Sequence, residues 1–129
     1  MGKLRIIDFG TASKYLCSDG SHVKESTYTP FRGNYLLNSS HVLANKPPTR
    51  RDDMISIGLI MIFLTHELPY QGLYLQLYRN RSDTIKEKLR EAKENCTPEQ
   101  YCNNMKTQCF LNYMKAVMAL EYKEEPFYD

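Results

Sequence analysis

The feature that most constrains the fold is an apolar segment at residues 54–64. Its apolar side chains fall on nearly every face of a helix, so a helix here must be enclosed by protein. Thr49-Arg50-Arg51-Asp52, directly before it, has the form of a capping box with aspartate in place of the usual glutamate. The segment is far shorter than the roughly 20 residues that a membrane span requires. We therefore predict a central core helix over about residues 53–66, ended by a turn at Leu68-Pro69-Tyr70-Gln71-Gly72.

Composition limits the class of protein. The 129 residues, 42% of them hydrophobic, fit one domain with its own core. A net charge of +2 from 17 basic and 15 acidic residues argues against nucleic acid or a membrane surface as the main partner. The N-terminus shows no apolar leader with a cleavage site, which favours an intracellular protein, cytoplasmic or nuclear. The four cysteines are accordingly expected to be reduced, and their spacing does not suit zinc.

The other segments predict a mainly helical chain with one short strand. The apolar run at residues 4–7 suits a brief buried strand that ends at Asp8-Phe9-Gly10. Residues 11–52 are polar and interrupted by prolines, so they predict a long loop of the kind that often serves binding or regulation. Helical periodicity returns at about 84–95, as a surface helix, and at about 108–120, as an amphipathic helix packed on the core. The chain ends in an acidic tail that contains Glu121, Glu124, Glu125 and Asp129.

Several motifs, in their order along the chain, resemble a known family. Asp8-Phe9-Gly10 precedes the long polar loop, and Asp53-Met54-Ile55-Ser56-Ile57-Gly58 is similar to the Asp-x-x-Ser-x-Gly that opens the central helix of protein-kinase C-terminal lobes. Arg50-Arg51-Asp52 before that helix and Leu68-Pro69-Tyr70-Gln71-Gly72-Leu73 after it resemble the casein kinase I superfamily, including its tau-tubulin and vaccinia-related branches. Tyr70 stands where those families usually carry tryptophan.

The resemblance covers nearly the whole chain and implies a fold. Residues 1–129 are expected to be a partial protein-kinase domain of mainly α class, a kinase-like C-terminal lobe. In this interpretation the activation segment spans about residues 8–40 and is followed by the predicted helices. Ser39 matches the serine that the family uses where most kinases have Ala-Pro-Glu.

The resemblance also assigns roles around the tripeptide. Asp8 is the candidate magnesium ligand, while Phe9 is expected to pack beneath it and Gly10 to give the turn its freedom, so that all three belong to the nucleotide-binding site. Asp53 is expected to hydrogen-bond the backbone of the catalytic loop and to brace the site. The alternatives stay open at this point: Asp8 as an ordinary turn aspartate and Asp53 as a helix N-cap.

Substrate binding is implied for a second group of residues. Phe31-Arg32-Gly33 is like the family's substrate-binding stretch, and Gly72 is also expected to bind substrate. Arg81 falls near the position where the superfamily places a basic residue that binds phosphate or acidic substrate. Arg81 is also compatible with a solvated helix face, and Arg50 and Arg51 either bind an anion or lie in solvent. Two departures stand out, because Asn34 replaces a threonine that bridges to the catalytic aspartate and Leu36 replaces an arginine that binds anions.

The implied function is ATP-dependent phosphorylation of protein serine or threonine. ATP and magnesium are the expected cofactors of a complete parent kinase, with a protein as substrate or partner. The glycine-rich loop, the strand lysine and the catalytic loop with its general base all precede Asp-Phe-Gly in kinases, so no catalytic base is expected among these residues. We therefore expect the chain alone to be inactive and to bind neither ATP nor magnesium.

Other interpretations remain. A pseudokinase-type interaction module, which keeps the docking and helical surfaces without catalysis, is the main alternative, and an unrelated helical binding domain is another. A helix that is apolar on all sides, without its kinase neighbours, also predicts a bare apolar patch and therefore aggregation or a partner.

Overall fold

The computed structural model describes residues 3–128 and is mainly helical. Met1, Gly2 and Asp129, including the last residue of the predicted acidic tail, lie outside the described residues. The α-helices are α1 (Ser40–Leu43), α2 (Arg50–Phe63), α3 (Gln71–Arg79), α4 (Asp83–Glu94), α5 (Pro98–Tyr101) and α6 (Leu111–Met118). Two 3-10 turns, Phe9–Thr11 and Gln108–Phe110, complete the regular structure of this part of the chain. The predicted fold class, a mainly helical chain of the kinase C-terminal-lobe type, is confirmed.

The short strand predicted before Asp8 is wrong. Residues 3–8 carry no strand, and the Leu4 and Ile7 side chains are 103% and 79% exposed. A strand needs a neighbouring strand to satisfy its backbone groups. Within the described residues the β-structure is limited to the isolated bridge between Leu16 and His22, so the apolar run at 4–7 has no sheet to join.

Helix α2 lies at the centre of the core, as predicted. Its start agrees with the capping box, because Thr49 is the N-cap and the helix begins at Arg50, earlier than the predicted boundary. Leu59 and Ile62 are almost fully buried, and α2 packs closely against α6. The expectation that α2 is enclosed on all sides is not met, because the residues of one face are partly or largely exposed: Ile57, Ile60, Phe63 and Leu64.

Helix α3 was not predicted. Pro69 and Gly72 indicated only a turn, but the turn is short and the chain re-enters a helix at Gln71. Gly72 lies in the first turn of α3, where glycine is tolerated. α3 then packs against α4, with Leu77 and Leu89 buried between the helices and their neighbours.

The C-terminal third completes the core. α5 begins with a second capping box, in which Thr97 and Gln100 bond each other's backbone N–H groups, and Pro98 occupies its first turn. The predicted helix at 108–120 is a 3-10 turn followed by α6, with Met114 fully buried. The predicted helix at 84–95 is α4, Asp83–Glu94. No helix among residues 3–128 has the length and hydropathy needed to cross a membrane.

Candidate functional site

Asp8 opens the exposed 3-10 turn Phe9–Thr11. Its backbone has φ 61° and ψ 76°, a left-handed conformation that few residues other than glycine adopt. The Asp8 carboxylate accepts a hydrogen bond from the Gly10 N–H, with 3.2 Å between Oδ1 and N. Non-glycine residues in such conformations cluster at functional sites. The turn therefore presents an accessible carboxylate on an unusual backbone.

The surroundings of Asp8 do not form a metal site by themselves. Phe9 is 68% exposed, so the prediction that it packs beneath Asp8 is wrong; no residue of the turn is buried. Within residues 3–128 no group of three His, Cys, Asp or Glu side chains is arranged to hold a metal ion. Magnesium takes six oxygen ligands in near-octahedral geometry. Asp8 can supply one of these ligands, and the described residues hold no group of three such side chains to complete the site.

The loop after Asp8 is fastened to the helical core through aromatic rings. Tyr15 and Val23 are joined by a backbone bond, and the Tyr15 and His22 rings lie 5.5 Å apart. The His22 ring contacts Tyr122 at 4.8 Å, and the Arg50 guanidinium lies 4.9 Å from the centre of the Tyr15 ring. The activation-segment-like loop is thereby held against the start of α2 and the C-terminal tail.

The predicted substrate-binding stretch Phe31–Gly33 is held by side-chain contacts. The Phe31 ring packs on Tyr35, with centroids 4.3 Å apart, and the Phe31 N–H donates to Asn45 Oδ1 at 3.0 Å. Arg32 is exposed, and its carbonyl accepts a bond from Asn38 Nδ2 at 3.2 Å. Gly33 has φ 110°, which favours glycine, and a Cβ there would lie 2.7 Å from Asn38 Nδ2.

Leu36, three residues after this stretch, anchors the chain in the core. Its side chain is 5% exposed and belongs to the core, so this position contributes a core contact in place of a charge. The Leu36 carbonyl accepts two bonds, from Tyr70 Oη at 3.2 Å and from Lys93 Nζ at 2.8 Å. The backbone at Leu36 is thus bonded both to the turn before α3 and to the last turn of α4.

Gly72 and Arg81 lie on and after α3, and no hydrogen bond joins them to that stretch within residues 3–128. Gly72 is exposed in the first turn of α3, and Arg81 is exposed in the connection between α3 and α4. Near Arg81, Lys86 Nζ donates a hydrogen bond to Asp83 Oδ1, which raises the pKa of Lys86, and the Arg81 charge opposes that rise. No hydrogen bond among residues 3–128 joins Gly72 or Arg81 to Phe31–Gly33, so the predicted substrate residues are not brought into one bonded cluster.

The bracing carboxylate of the described residues is Asp52. It is buried, and it accepts bonds from Ser39 Oγ at 2.6 Å and from the Thr49 N–H and hydroxyl at 2.9 and 3.1 Å. Ser39 in turn caps α1 by accepting the Val42 N–H. Asp52 therefore joins the end of the long loop to the start of α2, a role that the sequence indicated only as a helix cap.

Asp53, predicted as the brace, lies on the exposed side of the helix start. Partial burial and the neighbouring Asp52 carboxylate raise its pKa. Its side chain makes no hydrogen bond to another residue of 3–128. Its predicted partner is the backbone of a catalytic loop that precedes Asp-Phe-Gly in kinases, so the bracing role of Asp53 stays a prediction.

Arg50 and Arg51 have different environments. The Arg50 Nη2 donates to the Lys123 carbonyl at 3.1 Å, and its Nη1 lies 3.4 Å from a Glu125 carboxylate oxygen. Arg51 is only 6% exposed, and its guanidinium lies 5.7 Å from the centre of the Tyr122 ring. The alternative of a solvated face is therefore excluded for Arg51.

Lys93 was missed from the sequence. It is 4% exposed, donates to the Leu36 and Asn38 carbonyls, and lies 4.7 Å from the centre of the Tyr70 ring. Burial lowers its pKa to about 7. A signal was present, because Ile85, Leu89 and Lys93 are four apart and share one helix face.

The comparison with known proteins supports a kinase relationship. No protein-family model matches the chain. The chain is 30% identical over 125 residues to Casein kinase I homolog 2 of Schizosaccharomyces pombe, and the match covers 95% of this chain. It covers 28% of that relative, so the chain spans about a quarter of the length of the curated protein it matches. The chain is thus similar to one part of a casein kinase I homolog.

Proposed function

We propose that this chain is the C-terminal-lobe part of a serine/threonine protein kinase of the casein kinase I type. The whole protein would transfer the γ-phosphoryl group of ATP to serine or threonine side chains of proteins. The observation that carries the proposal is the similarity to a casein kinase I homolog along 95% of the chain. The mainly helical fold with α2 at its centre supports it.

Within this proposal the exposed loop segments have the working roles. Asp8, in its left-handed conformation, would offer one carboxylate to the magnesium of bound ATP. Phe31–Gly33, fastened through Asn45 and Asn38, would position a substrate peptide, and Gly72 and Arg81 would be further substrate-binding residues. One carboxylate cannot hold magnesium without further ligands, so we expect the chain by itself to bind neither magnesium nor ATP.

A pseudokinase-type interaction module is the second candidate. It is favoured by the core position of Leu36, where the family has an anion-binding arginine. In this candidate the loop and helical surfaces bind a partner protein without phosphoryl transfer.

The reading frame upstream of Met1 discriminates the two candidates. A glycine-rich loop, a strand lysine and a His-Arg-Asp motif in frame support the kinase, because phosphoryl transfer depends on all three. An in-frame stop codon supports the interaction module. Calorimetric titration of Mg-ATP into the 129-residue chain is expected to show no binding, and measurable affinity would contradict our account of the isolated chain.

A further inference from the structure

The Arg51 side chain is buried without hydrogen bonds. Its Nε and Nη2 atoms are inaccessible to solvent and have no partner within residues 3–128. A buried donor that lacks a partner destabilises the folded chain, and a charged donor does so more strongly. A buried guanidinium without bonded acceptors therefore indicates an acceptor that residues 3–128 do not supply.

The nearest carboxylate does not supply that acceptor. Asp52 Oδ1 lies 3.8 Å from Arg51 Nε, beyond hydrogen-bonding distance. The Asp52 oxygens are already engaged by Ser39 and Thr49. Asp52 therefore compensates part of the Arg51 charge but leaves its N–H groups free to bond another anion.

Arg51 lines a cleft of about 970 Å³ between the long loop and the C-terminal tail. The cleft is basic: four basic side chains line it against two acidic ones, namely Lys24, Lys46, Arg51 and Lys123 against Glu25 and Glu121. Lys46 and Glu25 pair with each other, with 2.9 Å between Nζ and a carboxylate oxygen, which leaves Lys24, Arg51 and Lys123 against Glu121.

Tyr122 adds a second buried donor to the same cleft. Its side chain is buried beneath the Arg51 guanidinium, and its hydroxyl has no hydrogen-bond partner within residues 3–128. An unbonded guanidinium and an unbonded hydroxyl thus line one basic cleft. Both groups can donate to the oxygens of an anion.

We propose that this cleft binds a phosphoryl group through Arg51 and Tyr122. The planar arginine fork matches the oxygen geometry of phosphate, and the surrounding lysines attract its double negative charge. The site is separate from Asp8 and from Arg81, and the inference does not depend on the proposed kinase activity. The phosphoryl group could come from free phosphate or from a phosphoserine of a peptide, since the cleft is larger than a single ion requires.

The test is a calorimetric titration of inorganic phosphate into the full chain at low ionic strength. Arg51→Gln is expected to weaken phosphate affinity at least about tenfold, the loss of one charge-assisted contact of about 1.4 kcal/mol. Tyr122→Phe, which removes one oxygen, is expected to weaken it a few-fold. Arg79→Gln is the matched control, because it makes the same charge change at the end of α3, outside the cleft.

The source of the phosphoryl group is separated by a second arm. A phosphoserine peptide that binds more tightly than inorganic phosphate, while its unphosphorylated form does not bind, assigns the site to peptides. Equal affinity for the phosphopeptide and for phosphate assigns it to the free anion.

Two results would overturn the proposal. One is wild-type protein without phosphate affinity; the other is an equal affinity of wild type, Arg51→Gln and Arg79→Gln. If circular dichroism shows that Arg51→Gln does not fold, Tyr122→Phe decides in its place, and unchanged phosphate affinity in that variant refutes the site.

Discussion

At the scale of single residues, the buried side chain of Lys93 should make the stability of the fold depend on pH. Its pKa is lowered from 10.5 to about 7 by burial, although two carbonyls and the Tyr70 ring accept the ammonium. Between these two pH values the unfolded chain binds a proton at Lys93 that the folded chain does not. The free energy of unfolding should therefore rise with pH across this window. The stability that the neutral Lys93 amine allows at high pH should be lost as the pH falls toward 7.

Lys93→Met tests this directly. The variant keeps a long side chain but cannot titrate, so the part of the pH dependence between about 7 and 10.5 that belongs to Lys93 should disappear. Urea unfolding at several pH values measures it. Lys88→Met, an exposed lysine of the same helix, is the control and should keep the wild-type slope. If the free energy of unfolding changes equally with pH in wild type and in Lys93→Met, Lys93 is not buried as a neutral amine.

Residue roles were only partly predictable from the sequence. The chemistry around residues 49–53 was recognised, but Asp52 and Asp53 are adjacent, and a pattern does not tell which of two neighbouring carboxylates turns inward. The structure buries Asp52 because it alone meets Ser39 and the Thr49 N–H. The burial of Arg51 depends on Tyr122, which is distant in sequence, so no local pattern could have indicated it.

At the scale of elements, the contact between α2 and α6 depends on a glycine. A Cβ on Gly58 would overlap Met114 Sδ and lie 3.0 Å from Tyr113 Cε1. The same Tyr113 donates its hydroxyl to the Met54 carbonyl at 2.8 Å, which fixes the spacing of the two helices. The glycine of the Asp-x-x-Ser-x-Gly motif therefore permits the close approach of the central helix to α6.

Gly58→Ala should destabilise the chain by about 1–3 kcal/mol, because overpacking exceeds the gain of about 1 kcal/mol in helix propensity. Gly72→Ala is the matched control: it is helical, and a Cβ there meets nothing within 4 Å. Its stability should be unchanged or slightly higher. Urea midpoints of the two variants measure the difference, and equal midpoints would show that α2 and α6 are not in close contact.

Elements were predicted where the signal was local and missed where it was not. The capping box and the apolar run identified α2, because caps and packing faces are encoded within one helix. The strand at residues 4–7 failed because its existence depends on a partner strand elsewhere in space. α3 was missed because the segment around Pro69 and Gly72 predicts a turn, although Pro69 precedes the helix and Gly72 lies in its first turn.

At the scale of the whole molecule, a face of α2 and the N-terminal segment leave apolar surface uncovered. Ile57 and Ile60 of α2 and Leu64, which directly follows the helix, lie on one side, and Ile57 and Leu64 are 47% and 76% exposed. Large exposed apolar patches mark interaction sites or cause aggregation. The chain in isolation should therefore associate with itself or bind a partner.

Light scattering coupled to gel filtration measures this association. The wild type should elute above the monomer mass, increasingly so at higher concentration, and the double variant Ile57→Lys, Leu64→Lys should shift toward the monomer. A compact wild-type monomer, stable at all concentrations, would count against an uncovered face.

The most direct test of the proposed function is phosphoryl transfer by the longest protein that the transcript encodes around these 129 residues. With radiolabelled ATP and casein, the wild type should label serine and threonine. Asp8→Asn should reduce transfer by about a hundredfold or more, the scale of losing one electrostatic contact in a transition state. The exposed-carboxylate control Asp83→Asn should retain activity. Transfer that is absent from the wild type, or equal in wild type and Asp8→Asn, would contradict the kinase proposal.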